Sequence, residues 1–383
     1  MLRIFEMLVA LLIVLVLAVL VALVLPDHGH VERRVEMPSP TRQVYDTING
    51  FRRFQQYTGL RAFDPALQTT LSGPEAGVNA KVSWTSNVPK VGNGSLTIVK
   101  STQDSDVTMA LENDWIGTNK TYTITITPSP KGRTVYVTEA YDVDYGWNLL
   151  WRFGGLYING DPSAVVQGTL ASLAAMMAGF PNTDYTNQDI SVVDITAKPL
   201  LLVNTQAPRS LDEVADATEA AREKIDAVLK KTGLTQTGAM MTITTEWGDE
   251  NYTFAVAVPV SQASFTLDGK SYTIDAPVPP PEDAEGGASD QPLVAGDRDK
   301  KGLLVVDPDV RAVLWYQGVA LYTEYTGSAA QLPLVRLNHK AYAETHGYRF
   351  SESGLNRPWD EDVSDPGVAD DQRTFRVYLP ITR

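Results

Sequence analysis

Residues 7–25 contain only Met, Leu, Val, Ala and Ile. At about 1.5 Å per helical residue the run spans roughly 28 Å, close to the thickness of a bilayer's hydrocarbon core. Pro26 and then Asp27-His28-Gly29-His30 end it sharply. A cleaved signal peptide is the main competing reading, but its apolar region would be shorter and would close on a small-x-small site. Val24-Leu25-Pro26-Asp27 offers none. The pattern therefore predicts an uncleaved anchor through residues 4–25, within a segment 1–30, followed by a water-soluble body.

The body reads as two blocks, 31–180 and 189–383, joined by a linker 181–188 that opens on the turn signal Pro181-Asn182-Thr183-Asp184. The first block starts with a strand from Val31 to Glu36 and a short helix from Thr41 to Asn49. Runs with strand character follow at 80–85, 95–100, 107–112, 121–127 and 134–141. Residues 121–127 alternate Thr with larger side chains, the period of a half-buried strand. A long helix closes the block. Asp161 is its expected cap, Pro162 suits its first position, and Val166, Leu170, Leu173 and Met177 recur at helical spacing before Gly179. An antiparallel sheet curved around such a helix leaves room for a cavity.

The second block opens with an apolar stretch, 190–203, broken by Pro199. Ser210-Leu211-Asp212-Glu213 is a capping-box sequence, and Gly233 ends the helix that it starts. Strands at 239–246 and 252–260 complete a βαββ unit. A similar order returns as an extended run 311–325, a helix 329–346, an extended run 357–363 and a strand 374–381, a duplication of topology rather than of sequence. Between the two units, residues 276–300 are rich in Pro, then acidic and Gly-rich without periodicity, and read as a mobile surface loop.

Charge and composition narrow the partners. The net charge of −14 argues against nucleic acid and against an anionic lipid surface as ligands of the body. The absence of cysteine removes disulfide and thiolate chemistry. Arg3 stands before the anchor with Glu6 opposing it, and Arg33, Arg34 and Arg42 follow, so the charge count leaves the orientation nearly balanced. Short-tailed anchors more often export the body, which gives a periplasmic body on a bacterial inner membrane as the expectation.

No cofactor motif and no metal motif emerges. His28 and His30 sit at the membrane exit, and His339 and His346 read as surface or helix-end residues without HExxH spacing. Gly92-Asn93-Gly94 reads as a hairpin turn rather than part of a dinucleotide fingerprint, and Gly327-Ser328 lacks a nucleophile elbow. The acidic run Asp360, Glu361, Asp362 and Asp365 lacks EF-hand spacing and reads first as solvated charge. A carboxylate of that run turned into a cavity among aromatics would instead suit a cationic ligand. The candidate ligand-binding residues are Trp84 and Trp115 in the first block, and Tyr252, Trp315, Tyr322, Trp359, Asp360 and Glu361 in the second.

Two resemblances add to this reading. Residues 31–180 resemble the START-like polyketide-cyclase (SRPBCC) superfamily. The resemblance rests on the Val31-Glu32-Arg33 opening, Pro38-Ser39-Pro40-Thr41, Gly73-Pro74-Glu75-Ala76-Gly77 leading to Val82-Ser83-Trp84, Gly92 to Ile98, and the closing helix. Residues 189–381 resemble a GyrI-like effector-binding domain through Ala255 to Val260, Tyr325-Thr326-Gly327, His346-Gly347, Ser364-Asp365-Pro366 and Tyr378-Leu379-Pro380-Ile381. That family often carries Glu-x-Tyr before the Asp-Pro, where this chain has Asp360 and Asp362. No helix-turn-helix block precedes the domain, so no transcription-factor role is implied. The resemblances imply an α+β fold: a helix-grip sheet around a long C-terminal helix, then a duplicated βαββ domain. They imply a membrane-anchored binder of an apolar, amphipathic or cationic small molecule, with any protein partner unspecified. A hydrolase or cyclase-like enzyme and a structural envelope protein are the alternatives.

Overall fold

The computed structural model describes residues 2–130, 134–278 and 293–382. The fold is α+β, with a long N-terminal helix and antiparallel sheets. The chain divides into two compact units, one holding residues up to 186 together with 344–347, the other holding 187–343 and 348 onward.

The first unit starts with helix α1 (Leu2–Val24), long and apolar enough to cross a membrane. Strand β1 (His28–Met37) and helices α2 (Thr41–Ile48) and α3 (Phe54–Tyr57) follow. Next come β2 (Gln68–Ser72), β3 (Lys81–Thr85), β4 (Gly94–Thr102), β5 (Asp106–Asn113), β6 (Thr118–Pro128) and β7 (Val135–Asp144). The seven strands form an antiparallel sheet in the order β1-β7-β6-β5-β4-β3-β2. The period-2 alternation sends Val107, Met109 and Leu111 of β5 inward, with Val135, Val137, Tyr141 and Val143 of β7.

Helices α4 (Leu149–Gly154) and α5 (Asp161–Met177) complete the unit. α5 lies across β1 and β7 and buries Val165, Val166, Leu170, Leu173 and Met177. Gly59 permits its close approach, because a Cβ there would stand 2.1 Å from the Val165 carbonyl oxygen. The Gly59 N–H donates to Thr169 Oγ1 at 2.9 Å. Gly160, not Asp161, occupies the cap position, and Asp161 begins the helix as an N-terminal carboxylate beside Lys90.

The second unit contains β8 (Ser191–Ile195), β9 (Pro199–Pro208), helix α6 (Leu211–Thr232), β10 (Met241–Trp247) and β11 (Asn251–Pro259). A small hairpin of β12 (Ser264–Leu267) and β13 (Lys270–Thr273) follows. Then come β14 (Leu304–Val305), β15 (Arg311–Leu314), β16 (Gly318–Thr326), helix α7 (Leu332–Thr345), β17 (Trp359–Asp362) and β18 (Thr374–Ile381). Ser210 caps α6 by accepting the Glu213 N–H at 3.3 Å, and Gly233 ends the helix at φ 71°. The capping box is only half made, since the Ser210 amide goes to the Pro208 carbonyl.

Nine of these strands form one antiparallel sheet, ordered β14-β15-β9-β11-β10-β17-β18-β16-β8. The two βαββ units meet at the centre, where β10 pairs with β17. The extended stretches expected at 190–203 and 311–325 are each two strands, split at 196–198 and 315–317. β8 and β9 belong to opposite regions of the sheet, and so do β15 and β16, each pair six places apart in the strand order. Flat, that separation would be about 29 Å at ~4.8 Å per strand. The chain crosses it in four Cα steps, a reach of at most about 15 Å. The sheet is therefore rolled, and the two short connections strap its ends together.

The convex face carries the helices. α6 packs Ala221, Ile225 and Val228 against Leu201, Val203, Phe254 and Val256, while α7 packs Leu332 and Val335 against Phe375 and Val377. His339 of α7 is fully buried and neither ring nitrogen meets a hydrogen-bond partner among the described residues, which corrects its reading as a surface residue. Burial pulls its pKa down to about 3. Of the loop expected at 276–300, residues 279–292 lie outside the described residues. Its described ends are pinned rather than free, with Val278 N–H donating to Gly302 O at 3.1 Å and Gly296 N–H to Val305 O at 2.9 Å.

Arg336 of α7 reaches Asp360 of β17 through Nε at 3.1 Å and a second, short contact from Nη2, and both side chains are buried. Removing one partner of a buried pair leaves the other charge without compensation. Arg336→Ala is expected to cost about 3–5 kcal/mol in chemical denaturation, and Arg336→Met with Asp360→Leu substantially less. Equal losses in the single and double variants would contradict this account.

Candidate functional site

The concave face of the rolled sheet holds a groove of about 250 Å³. Its walls come from β8, β9, β10, β17 and β18 (Asp194, Ile195, Leu200, Met241, Trp359, Glu361 and Tyr378) and from the two straps, which bring Thr196, Lys198, Trp315 and Tyr316. Strand register explains the assembly. Ala255, Ile243, Trp359, Tyr378 and Tyr322 are successive cross-strand partners, so they line up on one face. The next row on that face runs Leu202, Ala257, Met241, Glu361, Arg376 and Glu324.

The aromatic contacts are close. Trp359 stacks on Tyr378 at 4.8 Å and 13°, Trp315 meets Trp359 edge-on at 6.3 Å and 90°, and Tyr316 lies 6.1 Å from Trp359. The Tyr316 hydroxyl is fixed by donating to Val319 O at 2.7 Å. The buried indole N–H groups of Trp315 and Trp359 meet no acceptor among the described residues. Tyr322 extends the ladder at the rim, 5.2 Å from Tyr378.

Glu361 is the buried acidic group of this groove, whose lining also carries the exposed Asp194 and Lys198; it is 9 % exposed and without an ion-pair partner among the described residues. The cation directly across the strands, Arg376, pairs instead with Glu324. Burial first, and then the Glu361 charge, push the Tyr378 phenol up. An aromatic box closed by an uncompensated carboxylate favours a cation with an apolar body, through ring-face attraction and charge pairing.

The other candidates lie elsewhere. Asp360 follows the strand alternation to the helix-covered face, where Arg336 holds it. Tyr252 is on that face too, its hydroxyl 3.0 Å from Thr244 Oγ1 and its ring 5.8 Å from the Arg336 guanidinium. Asp362 pairs with Arg373. Asp360, Glu361 and Asp362 are thus neither a solvated patch nor a convergent cation site, because successive strand residues point to opposite faces, while Asp365, beyond the strand, is exposed as expected. Among the described residues no group of three His, Asp or Glu side chains is placed to hold a metal.

Trp84 and Trp115 line an internal cavity of the first unit, together with Phe54, Tyr57, Met109, Tyr122 and Glu139. Its free volume is only about 20 Å³, room for a single water-sized guest. Trp84 stacks on Phe54 at 6.1 Å, and the Trp115 indole donates to Lys90 O at 3.1 Å. Glu139 is 4 % exposed, and its Oε2 and the Trp84 Nε1 have no hydrogen-bond partner among the described residues. Burial alone raises the Glu139 pKa well above the ordinary glutamate value.

Sequence reasoning does not single out Glu139, Lys198, Met241, Tyr316 or Tyr378. Glu139 does leave a trace, since it takes an inward position in the series Val135, Val137, Glu139, Tyr141, Val143. Tyr316 leaves only its aromatic type, next to Trp315, and Lys198 leaves none, because only the rolled sheet makes their straps part of a wall.

No family model matches the chain, and no curated protein matches it. Solved structures with a similar arrangement include the C-terminal domain of EcmrR, at TM-score 0.35 and 11% identity over 51% of this chain and 98% of that one. A truncated norcoclaurine synthase from Thalictrum flavum matches at TM-score 0.32 and 10% identity over 40% of this chain and 94% of that one. An uncharacterized conserved protein from Listeria innocua matches at TM-score 0.32 and 12% identity over 51% and 93%. Scores this low carry no argument about function.

Glu139 generates a pH dependence. Unfolded, it ionises in the ordinary glutamate range; folded, it keeps its proton to a higher pH. The stabilisation linked to that proton is complete below the unfolded value and is lost as pH rises from there through the folded value. Calorimetry of Glu139→Gln against wild type is expected to show the first unit gaining stability in the variant, with the gain growing from weakly acidic to neutral pH. Parallel pH profiles for the two proteins would refute it.

Proposed function

We propose that the chain is a membrane-anchored binding protein whose groove in the second unit takes small amphipathic cations. The observation that carries this reading is Glu361, a nearly buried carboxylate with no cationic partner among the described residues, placed between Trp315, Tyr316, Trp359 and Tyr378. Volume favours the groove over the cavity that holds Trp84 and Trp115. At about 250 Å³ the groove approaches the lower end of ordinary ligand pockets, while about 20 Å³ in the first unit suits one water. Anchorage by α1 would keep the groove near a membrane, where amphipathic cations concentrate, with the body on the periplasmic side.

The test is binding of tetraphenylphosphonium to the full chain in neutral detergent, followed by quenching of tryptophan fluorescence. Glu361→Gln is expected to weaken binding about tenfold, or ~1.4 kcal/mol. Tetraphenylborate, of the same shape and opposite charge, should not bind. Equal affinity of wild type and Glu361→Gln for the cation, or equal binding of the two ions, would end the proposal.

A further inference from the structure

The loop and short helices after β7 present an apolar face that no core uses. Trp147 is 86 % exposed, Leu150 81 %, Tyr157 77 % and Leu156 62 %. Between Gly146 and Gly160 the only charged side chain is Arg152, and it is buried. Its guanidinium donates to Gly146 O at 2.9 Å and to the carbonyls of Leu23 and Leu25 at 3.4 and 3.3 Å, at the end of α1. The Tyr145 and Gly146 amides donate to Asp27 O at 2.7 and 3.1 Å. The exit of α1 is therefore bonded to this loop from two directions.

Depth follows from the same contacts. Ala22 is 1 % exposed while its neighbours along α1 are open, and α1 packs on α4. Ala22 belongs to the apolar run 7–25, and Leu25 lies only about 4.5 Å further along the helix axis. If that run spans a bilayer, α4 meets it at the level of its last turn, at the edge of the hydrocarbon. Carbonyls ending a helix at that level have few water donors, and Arg152 supplies them from the body. Trp and Tyr are the side chains that settle at this boundary, with an apolar ring and a polar tip.

We propose that Trp147, Leu150, Leu156 and Tyr157 form a platform seated in the interfacial layer of the same membrane that α1 crosses, so that the first unit lies against the lipid rather than hanging from a free tether. This rests on reading residues 7–25 as a bilayer helix. The occupant is lipid, because the face is continuous with the exit of that helix and offers no outward charge to a polar partner.

The chain has no cysteine, so single-cysteine variants need no prior substitution. Nitroxide would be attached at Leu150→Cys, Tyr157→Cys, Leu15→Cys in the anchor and Val78→Cys on a remote exposed loop of the first unit, each in the full chain in dioleoylphosphatidylcholine vesicles. The expected result is that positions 15, 150 and 157 collide with oxygen more than with a water-soluble nickel chelate, and that position 78 does the reverse. Positions 150 and 157 behaving like 78, with 15 still in lipid, would overturn the platform and leave the anchor standing. Labels at 150 and 157 shielded from both reagents would mean that protein covers the face, which also overturns it. Position 15 in water would overturn the anchor and the platform together.

Discussion

Four Cα steps are too little chain to cross a flat nine-stranded sheet, and the second unit is built around that shortage. The connections Ile195 to Pro199 and Leu314 to Gly318 each join strands six places apart. Only rolling brings those strands within reach. Rolling sorts the sheet's two faces: the convex one needs covering and receives α6 and α7, and the concave one becomes a groove. The straps then stand over the groove with Trp315 and Tyr316 on one and Thr196 and Lys198 on the other. A longer pair of connections would permit an open sheet and scatter the same side chains.

Neighbouring carboxylates on β17 show how much a single residue step decides. Asp360 and Glu361 share a peptide bond and almost the same low exposure. Asp360 faces α7, where Arg336 neutralises it. Glu361 faces the aromatic groove, where no described cation, Lys198 of the same wall included, forms an ion pair with it. One is part of what holds the helix on the sheet; the other forms no ion pair among the described residues. Their difference lies in direction, not in composition, which is why a count of acidic residues misreads the run.

Much of the architecture was legible in the chain. The uniform apolar run of α1, the Thr alternation of β6, the Ser210 cap and the repeated βαββ order all follow from local periodicity, and local periodicity survives into the fold. What escaped depends on distant pairing. Pro199 breaks the first stretch, but nothing near residue 197 or 316 says how far apart in the sheet the strands on either side lie. The facing of 360 against 361 is fixed by register with β10 and β18, and sequence near the run cannot supply it. His339 sits on a helix whose buried stripe is not purely apolar, so its burial contradicts the usual preference of the residue type. Glu139 was readable from its inward phase on β7, but phase alone does not say that no partner waits inside.

The meeting of β10 with β17 relates the two halves of the sheet by an approximate twofold. Register carries the relation onto single residues: Met241 corresponds to Trp359, Ile243 to Glu361, Ala255 to Arg376 and Ala257 to Tyr378. The first half thus offers methyl and thioether surface where the second offers rings and charge. Duplication has kept the scaffold and divided the chemistry. A guest of the proposed kind, lying across that seam, would meet a blunt, indifferent side and a side that grips, so the groove has a polarity that would admit an elongated ligand in one sense only.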